Sequence, residues 1–507
     1  MDGQADPQAP PLKPPLQSTA HGEPNQRLTF EELRAWYEQR ADVRLRGQYE
    51  SAVKGIVELL DDASGAPLRL TALRITAPHT SQAFLDTLLA PYLTPPPTSP
   101  SAVSTLRSVL RQTRDVTQAL AATNIFTSLQ PTLVRSLSPL AEPGDVELLV
   151  MAKERGRRFL KGETNVGNSE ASGSLTGRLF NTLGCGDSLS VVVSTGTRTR
   201  KSYEATFDVP LIALARALPS AKEGGKGRPG WELSTRGEAG LWEYERDWTS
   251  WAGCWERQKG AKVGISTRTP LGSHTLAYSL VSRQIHSLAP TASLSTRFAA
   301  GTSLKSSISH TVSNSASDGR WGYRLSQELA GLGGDAKFLR SEANFSRLLP
   351  LTSSLSASFT ARTGFLHPLS TTPVPLSDRL FLGGPTSVRM FGLNGLGPHD
   401  GLDATGGEIS ASAGLSLLGK FGGRAQDWPL QWHLFTNAGS LGRLLPGQSA
   451  VDTIQKTLSR PSVSVGLGLV GRLDAIRIEM NLGVPLVAAK GEGLTRGWSL
   501  GIGLEFL

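Results

Sequence analysis

Few residues in this chain have the types and spacing that covalent chemistry needs. Eight histidines are scattered along it, and His79, His310, His367 and His433 show no spacing at which two could ligate one metal. Cys185 and Cys254 are its two cysteines, too few for a disulfide-stapled scaffold or a four-cysteine zinc site. They permit one bridge at most, and buried free thiols are the expectation. No H-E-x-x-H, P-loop or G-x-S-x-G motif occurs. The run Gly466-Leu467-Gly468-Leu469-Val470-Gly471, with Asp474 nearby, fits G-x-G-x-x-G. A dinucleotide site needs such a run to end a strand and open a helix. Here a two-residue alternation continues through it into another strand, so glycines facing a lumen are the better reading. Basic clusters at Arg155 to Lys161 and Arg198 to Lys201 fall at predicted strand ends. That placement favours solvated turns or contacts with membrane lipid over nucleic-acid binding. The expectation is a protein that is not an enzyme, with no cofactor and no metal.

The elements that carry these residues are mostly strands. At the C-terminus Trp498, Leu500, Ile502, Leu504 and Phe506 alternate with Ser499, Gly501, Gly503 and Glu505. Ile476, Ile478, Met480 and Leu482 alternate with Arg477, Glu479 and Asn481, and Val463, Val465, Leu467 and Leu469 alternate with Ser464, Gly466 and Gly468. Similar runs occur at Leu189 to Val193, Leu276 to Leu280, Leu304 to Val312, Trp321 to Leu329, Leu355 to Thr363, Ile409 to Leu417 and Trp428 to Thr436. Sixteen or seventeen such runs follow Arg158, with ambiguity around Arg228 to Arg268 and Ala289 to Phe298. Sixteen strands of about ten residues fill this length.

Composition decides what those strands face. The chain has 507 residues, 52 Lys+Arg against 43 Asp+Glu for a net charge of +9, 39% hydrophobic residues, 55 Gly and 31 Pro. So much glycine argues against a mostly helical protein. No window approaches the ~18 apolar residues that a membrane-spanning helix requires, which on first reading suggests a soluble protein. A transmembrane β-barrel escapes that test, because its strands alternate lipid-facing and lumen-facing residues. In a soluble sandwich the second face is usually rich in Lys, Glu and Thr; here it is largely Ser, Gly and Asn, the barrel arrangement. A soluble multi-sheet β protein is the bland alternative.

Before the barrel the pattern differs. Residues 1–27 hold six prolines between Pro7 and Pro24 and read as a disordered tail. The tail has no apolar h-region and no arginine before Arg27, so it is neither a secretory signal nor a good mitochondrial presequence. A helical segment is expected over 28–62, opened by a Thr29/Glu32 capping box with Leu28 stapled onto Leu33. Over 63–153 the order is β-α-α-β-β: a strand at Leu73 and Ile75, then a helix capped by Thr80 with Phe84, Leu85, Leu88 and Leu89 on one face. A second helix carries Leu106, Val109, Leu110, Val116 and Leu120, and strands follow at Ser128 to Ser136 and Asp145 to Ala152. This is a compact two-layer module.

The segment Phe381 to Pro398, FLGGPTSVRMFGLNGLGP, followed by ATGGE at Ala404 to Glu408, closely resembles the long loop of the BamA and bacterial surface antigen superfamily, whose Val/Ile-Arg-Gly-Phe/Tyr tip folds into the barrel lumen. Further motifs in matching order are Thr164 to Gly167 with the Asn181 to Gly184 turn, LKSSISH at Leu304, QELAG at Gln327, FTNAG at Phe435, VGLGLV at Val465 and LGIGLEFL at Leu500. Within the superfamily the chain is most similar to the branch of the core subunit of the mitochondrial sorting and assembly machinery (the SAM complex). The resemblance covers about residues 65 to 507, and the α+β module falls where that branch has one POTRA domain. It implies a 16-stranded antiparallel transmembrane β-barrel over 154–507, with a long lumen-folded loop at about 369–404.

The resemblance places Val388, Arg389, Met390, Phe391 and Gly392 at the loop tip. Met390 stands where the family usually has glycine, which puts the local turn in doubt. Asn437 stands where bacterial relatives tend to have aspartate, so an Arg389 to Asn437 contact would be a hydrogen bond; Gly439 lies beside it, and Glu408 is a second candidate partner. Ser499-x-Gly501-x-x-Leu504-x-Phe506 fits the β-signal of mitochondrial barrel precursors, and is equally the last strand of a barrel. The implied function is assembly of β-barrel proteins into the mitochondrial outer membrane through a lateral gate. The gate would lie between a first strand with Gly162, Thr164, Val166 and Gly167 and the last strand. The implied partners are β-barrel precursors and metaxin-like peripheral subunits, with the N-terminal domain in the intermembrane space. A passive porin-type channel and a POTRA-barrel translocation pore are the rivals.

Overall fold

The computed structural model describes residues 63–93, 105–139, 141–167, 170–218, 229–385, 387–422, 429–444, 449–473, 476–495 and 497–503. The tail and helical segment expected over 1–62 lie outside the described residues. By packing, the described chain divides into two units: residues up to Thr71 with 105–111 and Arg135–Val146, and the remainder.

The small module is a three-stranded sheet in the order Arg69–Thr76, Asp145–Glu154, Phe126–Arg135, with helices α1 (Gln82–Leu93) and α2 (Leu106–Ala122) between its strands in sequence. Apolar residues recur at helical spacing and are buried: Leu85, Leu88 and Leu89 on α1, Val109, Val116 and Leu120 on α2. Leu110, expected on the same stripe, is instead exposed at its edge. Thr80 does not cap α1, which begins at Gln82; its hydroxyl donates to Glu154 Oε1 at 2.8 Å and accepts from Asn181 Nδ2 at 3.1 Å.

Sixteen strands form a single antiparallel sheet in which each pairs with its neighbours in sequence, from Arg158–Gly167 to Gly497–Gly503. Alternation sets their two faces. On Gly272–His286, Leu276, Tyr278 and Leu280 are exposed, while Ala277, Val281, Arg283 and Ile285 point inward and are buried. On the penultimate strand, Ile476–Val487, Met480 is exposed whereas Glu479 and Asn481 are fully buried. The outward face is therefore apolar, as a barrel in lipid requires, while the inward face mixes polar and charged residues with apolar ones. Among the described residues no helix is long and apolar enough to cross a membrane.

The two ambiguous regions now have definite structures. Arg228 to Arg268 holds strands Arg236–Asp247 and Trp255–Thr269 around a short helix, Thr249–Ala252. Ala289 to Phe298 holds no strand but a helical turn, Leu294–Ala299, whose first amides are met by the Ser293 side chain through Thr296 N. The G-x-G-x-x-G run lies inside strand Ser462–Leu473 with a further strand after it, and no helix begins there. Its glycines make room instead: a Cβ on Gly468 would lie 2.5 Å from Asn481 Oδ1 and 2.7 Å from His433 Nε2.

Candidate functional site

The strands Leu355–Pro368 and Ile409–Lys420 are neighbours in the sheet, and the forty residues between them turn back inside it. Apolar residues explain why: Val374, Leu380, Leu382, Val388, Phe391 and Leu396 of the loop form one buried cluster with Phe338, Leu366 and Leu441 of the wall. A polar anchor holds the loop's stem. Asp378 pairs with Arg283 at 2.5 Å, both about 2% exposed, and lies 3.5 Å from Lys305 Nζ. The loop's return limb is tied by Asp403, whose Oδ2 accepts Ser293 N–H at 2.7 Å and the Thr296 hydroxyl at 3.0 Å.

At the tip, Arg389 is fully buried. Its Nε and Nη2 donate to Glu479 Oε2 and Oε1 at 2.9 and 3.1 Å, the two-pronged geometry that a guanidinium makes with a carboxylate. Nη1 donates to Asn437 Oδ1 at 3.2 Å, and the guanidinium lies 5.1 Å from the centroid of the Phe435 ring. Asn481 donates to Glu479 Oε2 at 3.2 Å, and His433 Nε2 lies 2.7 Å from Asn481 Oδ1. A charge taken out of water is thus met by an opposite charge, and the remaining lone pairs by amides.

Backbone and packing fit the tip to the wall. Met390 takes the left-handed region with φ +66, so the chain makes the turn that glycine usually makes, with a side chain present. Gly483 accommodates that side chain: a Cβ there would lie 2.9 Å from Met390 Sδ. Val388 has the same relation to Gly439, where a Cβ would lie 2.7 Å from Val388 Cγ2. Phe391 is buried, and Gly392 donates its N–H to Gly493 O at 2.8 Å.

The structure thus brings Arg389 to Asn437 and Val388 to Gly439, and corrects the second expected partner of Arg389. Glu408 stands where strand Ile409–Lys420 begins, and its Oε2 accepts Leu444 N–H at 3.0 Å. Alternation alone put it on the inner face; its height along the strand puts it at the rim, beyond the tip. The carboxylate that meets Arg389 is Glu479, which the motifs did not single out. The available signal was the one acid in the alternating set Arg477, Glu479 and Asn481.

Glu479 sits directly behind the last strand. In register, Glu479 faces Gly501 and Asn481 faces Ser499. The last strand pairs over seven residues, and Leu504 and Phe506 lie outside the described residues. At the other edge, Gly162 is open, with nothing within 4 Å of where a Cβ would sit, and Thr164 is exposed. Val166 and Gly167 pair with Ala171 and Glu170 at the far end of the same strand. The two edge strands lie side by side, yet no hydrogen-bonded ladder joins them among the described residues.

Residues 181–506 match the Omp85 superfamily domain. A SAM50-like protein of Schizosaccharomyces pombe is 32% identical over 473 residues, covering 90% of this chain and 95% of its own. The human sorting and assembly machinery component 50 homolog is 30% identical over 421 residues, 79% of this chain and 84% of its own. BamA from Haemophilus ducreyi lacking POTRA domains 1–3 shares the fold, with TM-score 0.65 at 15% identity over 87% of this chain and 85% of that one. The chain belongs to the Omp85 superfamily and, within it, to the SAM50 family of sorting and assembly machinery components.

Proposed function

We propose that this protein inserts and assembles β-barrel proteins in the mitochondrial outer membrane, through a lateral gate between its first and last barrel strands. The observation that carries the reading is the seam: a sixteen-stranded sheet whose ends, Arg158–Gly167 and Gly497–Gly503, lie together without a ladder among the described residues. Unpaired N–H and C=O groups are costly in hydrocarbon, so a strand arriving from a precursor gains by pairing with such an edge. The precursor's β-signal strand adds at the seam, further hairpins follow, and the new barrel closes on itself. No covalent step is required. Arg389, held by Glu479 and Asn437, braces the penultimate strand, so that the last strand has a fixed neighbour while the seam parts.

On this reading the small module, 63–153, is a POTRA domain in the intermembrane space, the barrel spans 154–507, and precursors and metaxin-like subunits are the partners. The SAM50 relatives support barrel assembly and the mitochondrial location. Depletion followed by native gels of imported porin tests the function: accumulation of unassembled precursor is expected, and normal assembly refutes it. Cysteines at Gly162 and Gly501 test the gate, since a precursor in transit is expected to cross-link at both; adducts at neither edge would sink it.

A further inference from the structure

The chain that links the penultimate strand to the last does more than turn. Gly392 donates to Gly493 O at 2.8 Å, Gly493 donates to Gly395 O at 2.8 Å, and Thr495 donates to Met390 O at 3.0 Å. Phe391 and Leu494 therefore face one another as a bridge between two short antiparallel stretches. Glu492 closes the patch from the side. Its Oε1 accepts Gly397 N–H at 3.2 Å, and its Oε2 accepts the Ser462 hydroxyl at 2.7 Å and Ala489 N–H at 2.9 Å. One carboxylate joins the return limb of the loop, the start of strand Ser462–Leu473 and the linker itself. The two backbones are close: a Cβ on Gly395 would lie 3.0 Å from both Gly392 O and Gly493 O. Two residues beyond Thr495, Gly497 (φ +89) turns the chain into the last strand.

We propose that this junction is a latch, with Glu492 as its clamp, that fixes the root of the last strand to the lumen loop. The proposal rests on the gate reading and names the residues that position one of its edges. The last strand is held at two levels: at its root by the latch, and along its length by a penultimate strand whose Glu479 is locked to Arg389. Most of the latch is main chain, so its bonds are lost only through a change in backbone or clamp. Loop and last strand therefore move as one body, and an arriving precursor meets an edge that keeps its register.

Hydrogen exchange of the full chain in lipid vesicles reads the latch without reference to activity. Glu492→Ala removes three acceptor contacts, and Gly493→Pro removes the donor to Gly395 O. Each is expected to speed exchange by about ten-fold or more at those amides among Trp498, Ser499 and Leu500 that donate to the penultimate strand, the effect of losing at least one hydrogen bond of this strength. Amides of Gly272–His286 are expected to be unchanged. Glu492→Gln, which keeps the size and one acceptor, is expected to lie between. Heat-modifiable gel migration identifies the folded barrel for each variant, and if Gly493→Pro does not fold, the two Glu492 variants decide. Unchanged exchange at the root of the last strand overturns the latch, whatever assembly does. Faster exchange with porin assembled at the wild-type rate keeps the latch and overturns the gate reading instead.

Discussion

Replacing Glu479 by glutamine separates the contribution of the buried ion pair from that of its neighbours. Arg389 and Glu479 are both fully buried, and two of the guanidinium nitrogens reach the carboxylate at 2.9 and 3.1 Å. Removing one charge of such a pair leaves the other uncompensated, at a cost of about 3–5 kcal/mol. The Asn437 carbonyl and the Phe435 face remain in the variant, so the lower end of that range, about 3 kcal/mol, is the expectation. The loss falls on the docked state of the loop, because an undocked Arg389 regains water. Every 1.4 kcal/mol is a factor of ten, so the docked population falls relative to the undocked by about two orders of magnitude. Limited proteolysis of the tip in detergent micelles measures that ratio, with Arg389→Ala and the double variant completing a cycle. The coupling energy between the two residues is expected to be about 3 kcal/mol, and Asn437→Ala is expected to cost less, about 1.5–3 kcal/mol for a bond to a charged donor. A coupling below about 0.5 kcal/mol, or an Asn437→Ala effect exceeding that of Glu479→Gln, refutes the assignment of Glu479 as the tip's main anchor.

Gly439→Leu is expected to expel the tip as well, since even a Cβ would lie 2.7 Å from Val388 Cγ2 and 3.0 Å from Leu382 Cδ2; the cost is about 1–3 kcal/mol, read by the same proteolysis, and an unaltered pattern would show that the loop can shift without undocking. Gly483→Ala should destabilise as well, since the added Cβ would lie 2.6 Å from Val465 O and 2.9 Å from Met390 Sδ, and Met390→Gly should recover only the part of the loss that comes from its side chain and its left-handed strain, the backbone contact remaining; strictly additive effects in thermal unfolding would contradict the Met390 share. Burial alone would raise the Asp187 pKa, but bonds from the Thr182 hydroxyl and the Leu183 and Thr182 amides outweigh it and hold the carboxyl below its ordinary value of 3.8. Its folded pKa being the lower one, Asp187 contributes stability above 3.8 that is lost as pH falls through the folded value; Asp187→Asn should therefore be destabilised by a constant amount near neutrality, a gap that closes in acid, and a gap that persists in acid would contradict the assignment.

Alternation made the barrel readable from the residues, because a period of two fixes which side chains share a face without any knowledge of partners. Leu276 to Leu280 and Ile476 to Leu482 show that alternation and lie in strands. Ala289 to Phe298 was ambiguous because a six-residue helical turn is too short to show a helical period. The tip was readable by resemblance, but its ion pair was not: Arg389 and Glu479 are 90 residues apart, and which inward acid stands at the height of the tip depends on register and stagger around the sheet, which periodicity does not contain. Glu408 and Glu479 both point inward; only their heights distinguish them. Glu492 was hidden for a further reason. Its partners are mostly main-chain amides, and a backbone donor leaves no trace in the pattern of side chains.

If the seam is the gate proposed above, the location of these anchors follows from what a weak seam requires. A barrel closed by strong ladders all round has no preferred place to open; one with a weak junction opens there only if the adjacent ladders hold. Among the described residues the last strand is rich in glycine, with Gly497, Gly501 and Gly503, and its ladder to the penultimate strand covers seven residues. Left to itself that ladder would compete with the seam as the point of failure. The buried charge pair, the Asn481 amide and the main-chain junction at Gly493 all act on the penultimate strand or on its link to the last one. On the gate reading, they stiffen the ladder that must not part. An arginine serves here better than a lysine, because two parallel bonds to one carboxylate fix orientation as well as distance. The lumen loop is therefore long because it has to reach from the strands at Arg283 and Lys305, which hold Asp378, to a penultimate strand elsewhere in the sheet, and hold both.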